Sequence, residues 1–241
     1  AVPLPDILQE LLTTGEKGMG GPVEIEFSIV LPEEQDKKPK LAILQIRPMG
    51  AQEETMNVDI DEGDQENLFC LSRNALGNTV NSSIYDLIYV KPSLFEPSAT
   101  IEISREIANL NNILASQERK YILIGPGRWG SADRWLGIPV SWGDISGVGG
   151  IIETHHPKIN AEPSQGSHFF HNITSLGINY LTIFDKQQEF IDWQWISSLP
   201  LEQETQYLGH VRRESPFERR VDGRSSLGVL YKSPAFSFYK R

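Results

Sequence analysis

The stretch that most restricts the fold is Thr100–Gln117, where Ile103, Ile107, Leu110 and Leu114 recur at steps of three and four residues. That spacing draws one apolar stripe along an amphipathic helix. Apolar runs suited to strands lie on either side, Ile84–Val90 before it and Tyr121–Ile124 after it. A helix bracketed by strands places the chain in the α/β class. Phe69–Leu71 and Gly147–Thr154 add further strand runs, the first separated from Ile84 by the turn residues Gly77-Asn78 and Asn81-Ser82-Ser83. From Asp185 onward, Phe190, Trp193, Trp195, Tyr207, Phe217 and Tyr231 punctuate a tail that reads as several short strands, with a turn at Asp222-Gly223. Its arginines at 212, 213, 219, 220 and 224 are largely interleaved with Glu214, Glu218 and Asp222, as on a solvated hairpin surface.

Near the start, Pro5–Gly15 forms one short helix, with Asp6 near its beginning and Ile7, Leu11 and Leu12 on one face. Val23–Val30 alternates charged and apolar residues before turning apolar, and Leu41–Met49 does so in part. Both read as strands, and the polar link Leu31–Lys40 with its two prolines makes them an antiparallel hairpin. Because side chains alternate, Glu24, Glu26 and Ser28 share a face of the first strand, and Gln45 and Arg47 share a face of the second. Carboxylate, amide and guanidinium together suit a magnesium-bound polyphosphate. The same residues also describe an exposed hairpin with ordinary charges. The acidic stretch Gly50–Asn67 is a solvated linker, since Asp59-x-Asp61-x-Gly63 lacks the glycine position and terminal glutamate of a calcium loop.

Gly166–Ile183 reads as a helix start, a short helix and a strand. Ser167 suits the N-cap, and Gly177 suits the left-handed residue that ends a helix. Phe169, Phe170, Ile173 and Leu176 fall on one side, with His168, His171, Asn172 and Ser175 on the other. His168 then stands in the first turn, where unpaired amide hydrogens and the helix dipole favour a phosphate. A helix cap with solvated histidines is the plainer reading. His155, His156, His168 and His171 lack a cysteine or glutamate at companion spacing, so a metal centre is not expected there. Gly125-Pro-Gly-Arg-Trp-Gly130 has the glycine spacing of a dinucleotide turn, yet Gly137 and Pro139 interrupt the helix that such a site needs. A tight turn exposing Arg128 and Trp129 to an anion or partner is the better expectation.

A formal net charge of -10 opposes nucleic acid and anionic membranes as partners. Cys70 is the sole cysteine, which excludes an internal disulfide and points to a cytoplasmic protein. No apolar run is long enough to span a bilayer.

The hairpin sequences Val23-Glu-Ile-Glu-Phe27 and Leu41-Ala-Ile-Leu-Gln-Ile-Arg-Pro-Met49 resemble the end of the ATP-grasp nucleotide-binding domain in the phosphoenolpyruvate synthase and pyruvate phosphate dikinase family. The resemblance implies that Glu26 is a metal ligand and that Gln45 and Arg47 contact the transferring phosphates of ATP, with Mg2+ as cofactor. In the same family a mobile domain carries a phosphorylated histidine at a helix start followed by Leu-Gly-Ile. Gly166-Ser167-His168 followed by Leu176-Gly177-Ile178 resembles it, implying that His168 is the carrier. Gly150-Ile-Ile-Glu-Thr154 is similar to the strand before that histidine loop, and Tyr121-Ile-Leu-Ile124 to the opening strand. The sequence departs from the pattern where a threonine should precede Ser167, where Phe169 and Phe170 replace small residues, and where Asn179 replaces a proline.

The architecture implied is an α/β chain in four parts. Residues 1–49 close an ATP-grasp lobe with a β-hairpin, 50–67 form the acidic linker, 68–184 form a mixed β/α swivelling phosphohistidine-like domain, and 185–241 form a β-rich aromatic tail. The glycine-rich loop and lysine-bearing strands of an ATP-grasp site have no counterpart here, so the chain reads as a C-terminal piece of a longer phosphotransferase that does not bind ATP well alone. Its partners would be ATP, the N-terminal remainder of the parent, and a small-molecule acceptor, which in the family is pyruvate. The alternative is a non-catalytic accessory domain packed on the ATP-grasp lobe, its histidine site decayed.

Overall fold

The computed structural model describes residues 3–19, 23–30, 39–48, 58, 60, 65–159, 161, 177–184 and 188–233. The chain divides into two compact units, Ala1–Glu54 and Thr55–Arg241.

In the first unit, α1 (Leu4–Met19) is followed by β1 (Val23–Val30) and β2 (Lys40–Pro48). The helix runs longer at both ends than the expected Pro5–Gly15. Asp6 in its first turn and Lys17 in its last match the helix dipole. Its apolar residues Leu4, Ile7, Leu8, Leu11 and Leu12 are half-buried. The strands pair antiparallel, as their alternation requires, with a register shift between Glu26 and Phe27. Helix and sheet approach closely at Gly15, where an added Cβ would lie 2.8 Å from Val23 Cγ2 and 3.5 Å from Ile46 Cγ2.

The second unit is mixed α/β, with few helices around one large curled sheet. Its strands are β3 (Leu68–Ser72), β4 (Asn74–Leu76), β5 (Asn78–Val90), β6 (Tyr121–Pro126), β7 (Arg128–Trp129), β8 (Gly137–Ile138), β9 (Val148–Thr154), β10 (Asn179–Ile183), β11 (Phe190–Ile191), β12 (Leu201–Glu204), β13 (Leu208–Asp222) and β14 (Leu227–Tyr231). Among the described residues two α-helices accompany them, α2 (Thr100–Ser116) and α3 (Trp193–Ser198). Among the described residues the main sheet has ten strands in the order β11-β3-β14-β13-β5-β6-β9-β10-β4, with β12 paired to β13. β5, β6, β9 and β10 run parallel to their neighbours in that series, and the remaining pairs in the sheet are antiparallel. The curl brings β4 back toward β14, where Ala75 N donates to Ser226 O at 3.0 Å. Ser72 Oγ likewise donates to Thr182 O at 2.7 Å.

Both faces of the central strands are buried, which explains why their sequences are apolar without alternation. Tyr121 and Leu123 of β6 face α2, packing with Ile103, Ile107, Leu110 and Leu114. Ile122 and Ile124 face inside the curl, packing with Phe69, Leu87, Ile152, Leu181 and Phe217. Each of the four α2 residues is at most 2 % exposed, a burial that contributes about 1.5–3 kcal/mol per side chain.

The tail departs from its expected form. β13 is a 15-residue strand between β5 and β14, so residues on both sides of position 185 share one sheet. The unforeseen α3 is capped by Asp192, whose Oδ1 accepts from Trp195 N at 2.9 Å, and Trp195 stacks on Phe69 with centroids 4.9 Å apart. The turn expected at Asp222-Gly223 is present, joining β13 to β14. Among the described residues no helix is long and apolar enough to cross a membrane.

Two glycines give opposite expectations. A Cβ at Gly125 would meet the buried Trp129 ring at 2.5 Å, whereas one at Gly18 in α1 would meet nothing within 4 Å. Gly125→Ala is therefore expected to destabilise the second unit by about 1–3 kcal/mol in urea unfolding, and Gly18→Ala to stabilise α1 by about 0.5–1 kcal/mol. A neutral Gly125→Ala would contradict this packing.

Candidate functional site

The first constellation lies on the β1–β2 ribbon. Glu24 stands opposite Arg47 and Glu26 opposite Gln45 in the strand register. Directly opposed residues share a face, and so do positions two apart along a strand. All four residues therefore occupy one face of the ribbon. The other face carries Val23, Ile25 and Ile46, the first and last of which meet α1 at Gly15. The packing of α1 on one face thus commits the polar set to the opposite one. Gln45 is exposed and Glu26 half-buried.

His168 and His171 lie outside the described residues, as does most of the expected helix. Gly177, the residue assigned to end it, has φ 68°, the left-handed conformation that glycine tolerates best. His155 is exposed, and His156 sits against Phe95 with its Nε2 3.2 Å from Pro92 O. Burial is the main cause that pulls the His156 pKa below its ordinary value. Among the described residues no group of three or more His, Cys, Asp or Glu is arranged to hold a metal ion.

The loop Gly125–Gly130 corrects one expectation. Arg128 and Trp129 form β7, paired with β8, and Gly127 and Gly130 have φ of 69° and 79°. Trp129 is not exposed but 1 % accessible, packed in the core beneath α2. Its backbone N donates to Glu153 Oε1 at 3.1 Å, and its indole Nε1 to Ile152 O at 3.4 Å. The short β7–β8 ribbon draws the ring inward, and Gly125 leaves room for it.

A second constellation was not anticipated. Asp86, in the apolar run of β5, is 1 % exposed and makes three hydrogen bonds and one further ion-pair contact. His210 Nε2 at 2.8 Å and Arg212 Nε at 2.9 Å reach Oδ1, while Arg119 Nε at 2.7 Å and Nη2 at 2.6 Å reach Oδ2. Arg212 continues the network to Glu202 at 2.7 Å and Gln117 at 3.3 Å. Burial pushes the Asp86 carboxyl up, but the bonds from His210, Arg212 and Arg119 outweigh it and hold the group below the usual carboxylate range. His210 Nδ1 is buried without a partner among the described residues. The cluster ties β5, β13 and the start of β6 together. An acidic residue inside a strand of buried apolar residues was the signal in the sequence, since such a charge requires cations around it.

The tail arginines likewise divide by environment. Arg220 pairs with Glu218 at 2.7 Å and Arg224 with Asp222 at 3.2 Å. Arg213 lies between the rings of Trp195 and Phe217. Arg219, expected on a solvated surface, is 4 % exposed.

Asp86→Asn leaves the surrounding cations without their carboxylate and is expected to cost about 3–5 kcal/mol at neutral pH, read by denaturant unfolding. Because the folded-state pKa is depressed, the contribution is complete above the unfolded value of about 3.9. It is lost as pH falls through the folded value, so wild type and Asp86→Asn should converge in strong acid. A constant gap across that window would show that the carboxylate charge is not what stabilises the cluster. No protein-family model, curated protein or solved structure matches the chain.

Proposed function

We propose that the chain is the C-terminal part of a phosphoenolpyruvate synthase-like, ATP-dependent phosphotransferase. Residues 1–49 would be the closing hairpin of its ATP-grasp lobe, and the second unit would include a swivelling domain of the phosphohistidine type. The observation that supports this reading best is the register of β1 and β2, which opposes Glu26 to Gln45 and Glu24 to Arg47 on one face. The resemblance of the two strand sequences assigns phosphate and metal contacts to three of those four residues.

The donor set fits the cation implied. Two carboxylates and an amide oxygen offer only oxygen ligands, and Mg2+ characteristically takes one or two carboxylates while keeping waters and substrate phosphates in its shell. Glu26 would hold it, and when bound it neutralises charge on the phosphate oxygens. Arg47 supplies a guanidinium whose planar fork matches two phosphate oxygens, and the Gln45 amide N–H orients a third. His168 then receives the phosphoryl group. A bond forms from an imidazole nitrogen to phosphorus, the bond from phosphorus to the bridging oxygen breaks, and its electron pair leaves on the departing phosphate. The ring sheds its N–H proton, and the phosphohistidine passes the group to a small-molecule acceptor of the pyruvate type.

The test is to incubate the full-length protein with labelled ATP and Mg2+ and measure acid-labile phosphate. Labelling is expected on His168, to vanish in His168→Ala, and to fall about 10²-fold in Arg47→Ala, the usual cost of removing one charge-stabilising donor. Absent labelling, or labelling that His168→Ala leaves unchanged, would overturn the proposal.

A further inference from the structure

The loops that follow the parallel strands β5, β6 and β9 meet at the carboxyl ends of those strands. Gly127 N, in the loop after β6, donates to Thr154 O at the end of β9 at 3.0 Å, and His155 N donates to Ile183 O of β10 at 2.9 Å. The chain then makes a tight turn in which Ile159 N donates to His156 O at 2.9 Å. Ile159 is 3 % exposed and joins the core beneath α2. It also lies close to Gly127, where an added Cβ would stand 3.1 Å from Ile159 Cδ1. Backbone and core thus hold the turn to β10 and to the loop after β6. Its tie to the loop after β5 runs through the side chains of His156 and Lys158.

Both ring nitrogens of His156 are engaged. Nε2 lies 3.2 Å from Pro92 O, and Nδ1 lies 3.2 Å from Lys158 N. A carbonyl oxygen can only accept, and a backbone N–H can only donate. The partners therefore fix the tautomer, in which Nε2 carries the proton and Nδ1 accepts. The ring stands edge-on to the buried Phe95, with centroids 4.9 Å apart and planes at 70°. The Lys158 ammonium crosses to the same segment, donating to Phe95 O at 3.2 Å and pairing with Glu96.

Neutral imidazole satisfies this arrangement and imidazolium does not. A second ring proton, on Nδ1, would point at the Lys158 N–H, setting two donors against each other and leaving that amide without its acceptor. The groups around the ring divide in their effect. Burial, the largest influence, disfavours a charged ring, as do the Lys158 ammonium and His155, whereas the Pro92 carbonyl and Glu96 favour one. Lys91, next to Pro92 in sequence, is turned away to Glu204 Oε1 and Thr205 O, each at 2.7 Å. The balance holds the His156 pKa below its ordinary value.

We propose that His156 is a proton-operated latch on the loops at this edge: neutral, it pins the His155–Ile159 turn to the Pro92–Glu96 segment, and protonated on Nδ1 it releases the Lys158 N–H so that the turn parts from that segment. Because the folded-state value is depressed, the latch contributes in full above the unfolded value of about 6.5. Its contribution is lost as pH falls through the folded value. The device uses none of the hairpin residues, and its test does not depend on the phosphotransfer reading.

The experiment records the histidine ring nitrogens of the full chain by long-range proton–nitrogen NMR from about pH 8 to about pH 5, the range in which histidine changes charge. His156 is assigned by its absence in His156→Gln, and amide hydrogen exchange, corrected for the intrinsic effect of pH, is followed in parallel. At neutral pH the ring should show the Nε2–H tautomer, and it should titrate below a histidine in an unstructured peptide. The Lys158 and Ile159 amides should lose protection as the ring protonates, while the Leu123 amide in β6 keeps it. In His156→Gln, which cannot titrate, protection at Lys158 and Ile159 should no longer depend on pH in this range. An Nδ1–H tautomer overturns the latch, as do amides that stay protected after the ring has titrated, or a pH dependence that survives in His156→Gln. Should His156→Gln fail to fold, the wild-type ring is assigned through its contact with Phe95, and its tautomer and the coincidence of ring titration with amide opening decide.

Discussion

The second unit depends on one constraint, the burial of its central strands on both faces. With α2 covering one side of β6 and of the Asp86–Val90 half of β5 and the curl enclosing the other, those segments have no solvated face on which to place a charge. Every polar group that enters them must bring its partners along. Asp86 obeys by collecting His210, Arg212 and Arg119, groups drawn from two distant parts of the chain. Asn111 obeys at the end of α2, its Oδ1 accepting from Tyr121 Oη at 3.1 Å and from Gly147 N at 2.8 Å. Glu189 does the same where the curl turns back, accepting from Arg73 N, Asn74 Nδ2 and Phe184 N. Among the described residues the buried side-chain atoms that lack a partner are Asn179 Oδ1, Thr182 Oγ1, His210 Nδ1, Arg213 Nη1 and Arg219 Nε.

How much of this was legible in the sequence depends on the range of the interaction. The apolar period of α2 and the runs of β6 and β9 are local properties, and they gave those elements to within two residues. The polar face of the β1–β2 ribbon was legible for the same reason, because alternation alone decides which side chains share a face. Trp129 was misplaced because its burial comes from β8 folding alongside β7 and from the space left at Gly125, neither of which is written in the loop itself. The six-residue α3 escaped notice because Trp193, Trp195 and Ile196 resemble a strand run as readily as one helical turn and a half.

The arginine-rich strand shows the limit most plainly. Charges at 212, 213, 219 and 220 alternate with acids in a way that suits a solvated hairpin, and Arg220 and Arg224 do have acidic neighbours close by in sequence. Yet β13 is flanked by β5 and β14 and lies against the inside of the curl, so alternate side chains on it enter an apolar interior. Which alternate set goes inside is fixed by pairing with a strand more than a hundred positions earlier, and local composition carries no trace of it.

That strand order also bears on how the chain reaches its native state. β13 and β14 come late in the sequence but occupy the middle of the sheet, between β3 and β5. During synthesis β3 and β5 must therefore emerge and wait with their future inner edges unpaired until residues up to Tyr231 are available. Closure across such long separations is slow relative to local pairing, and exposed strand edges are open to pairing with other chains in the meantime. Folding of this unit is thus expected to finish only after its last strands have been released, with the parallel β5-β6-β9 layer and α2 forming the early scaffold onto which the late hairpin inserts.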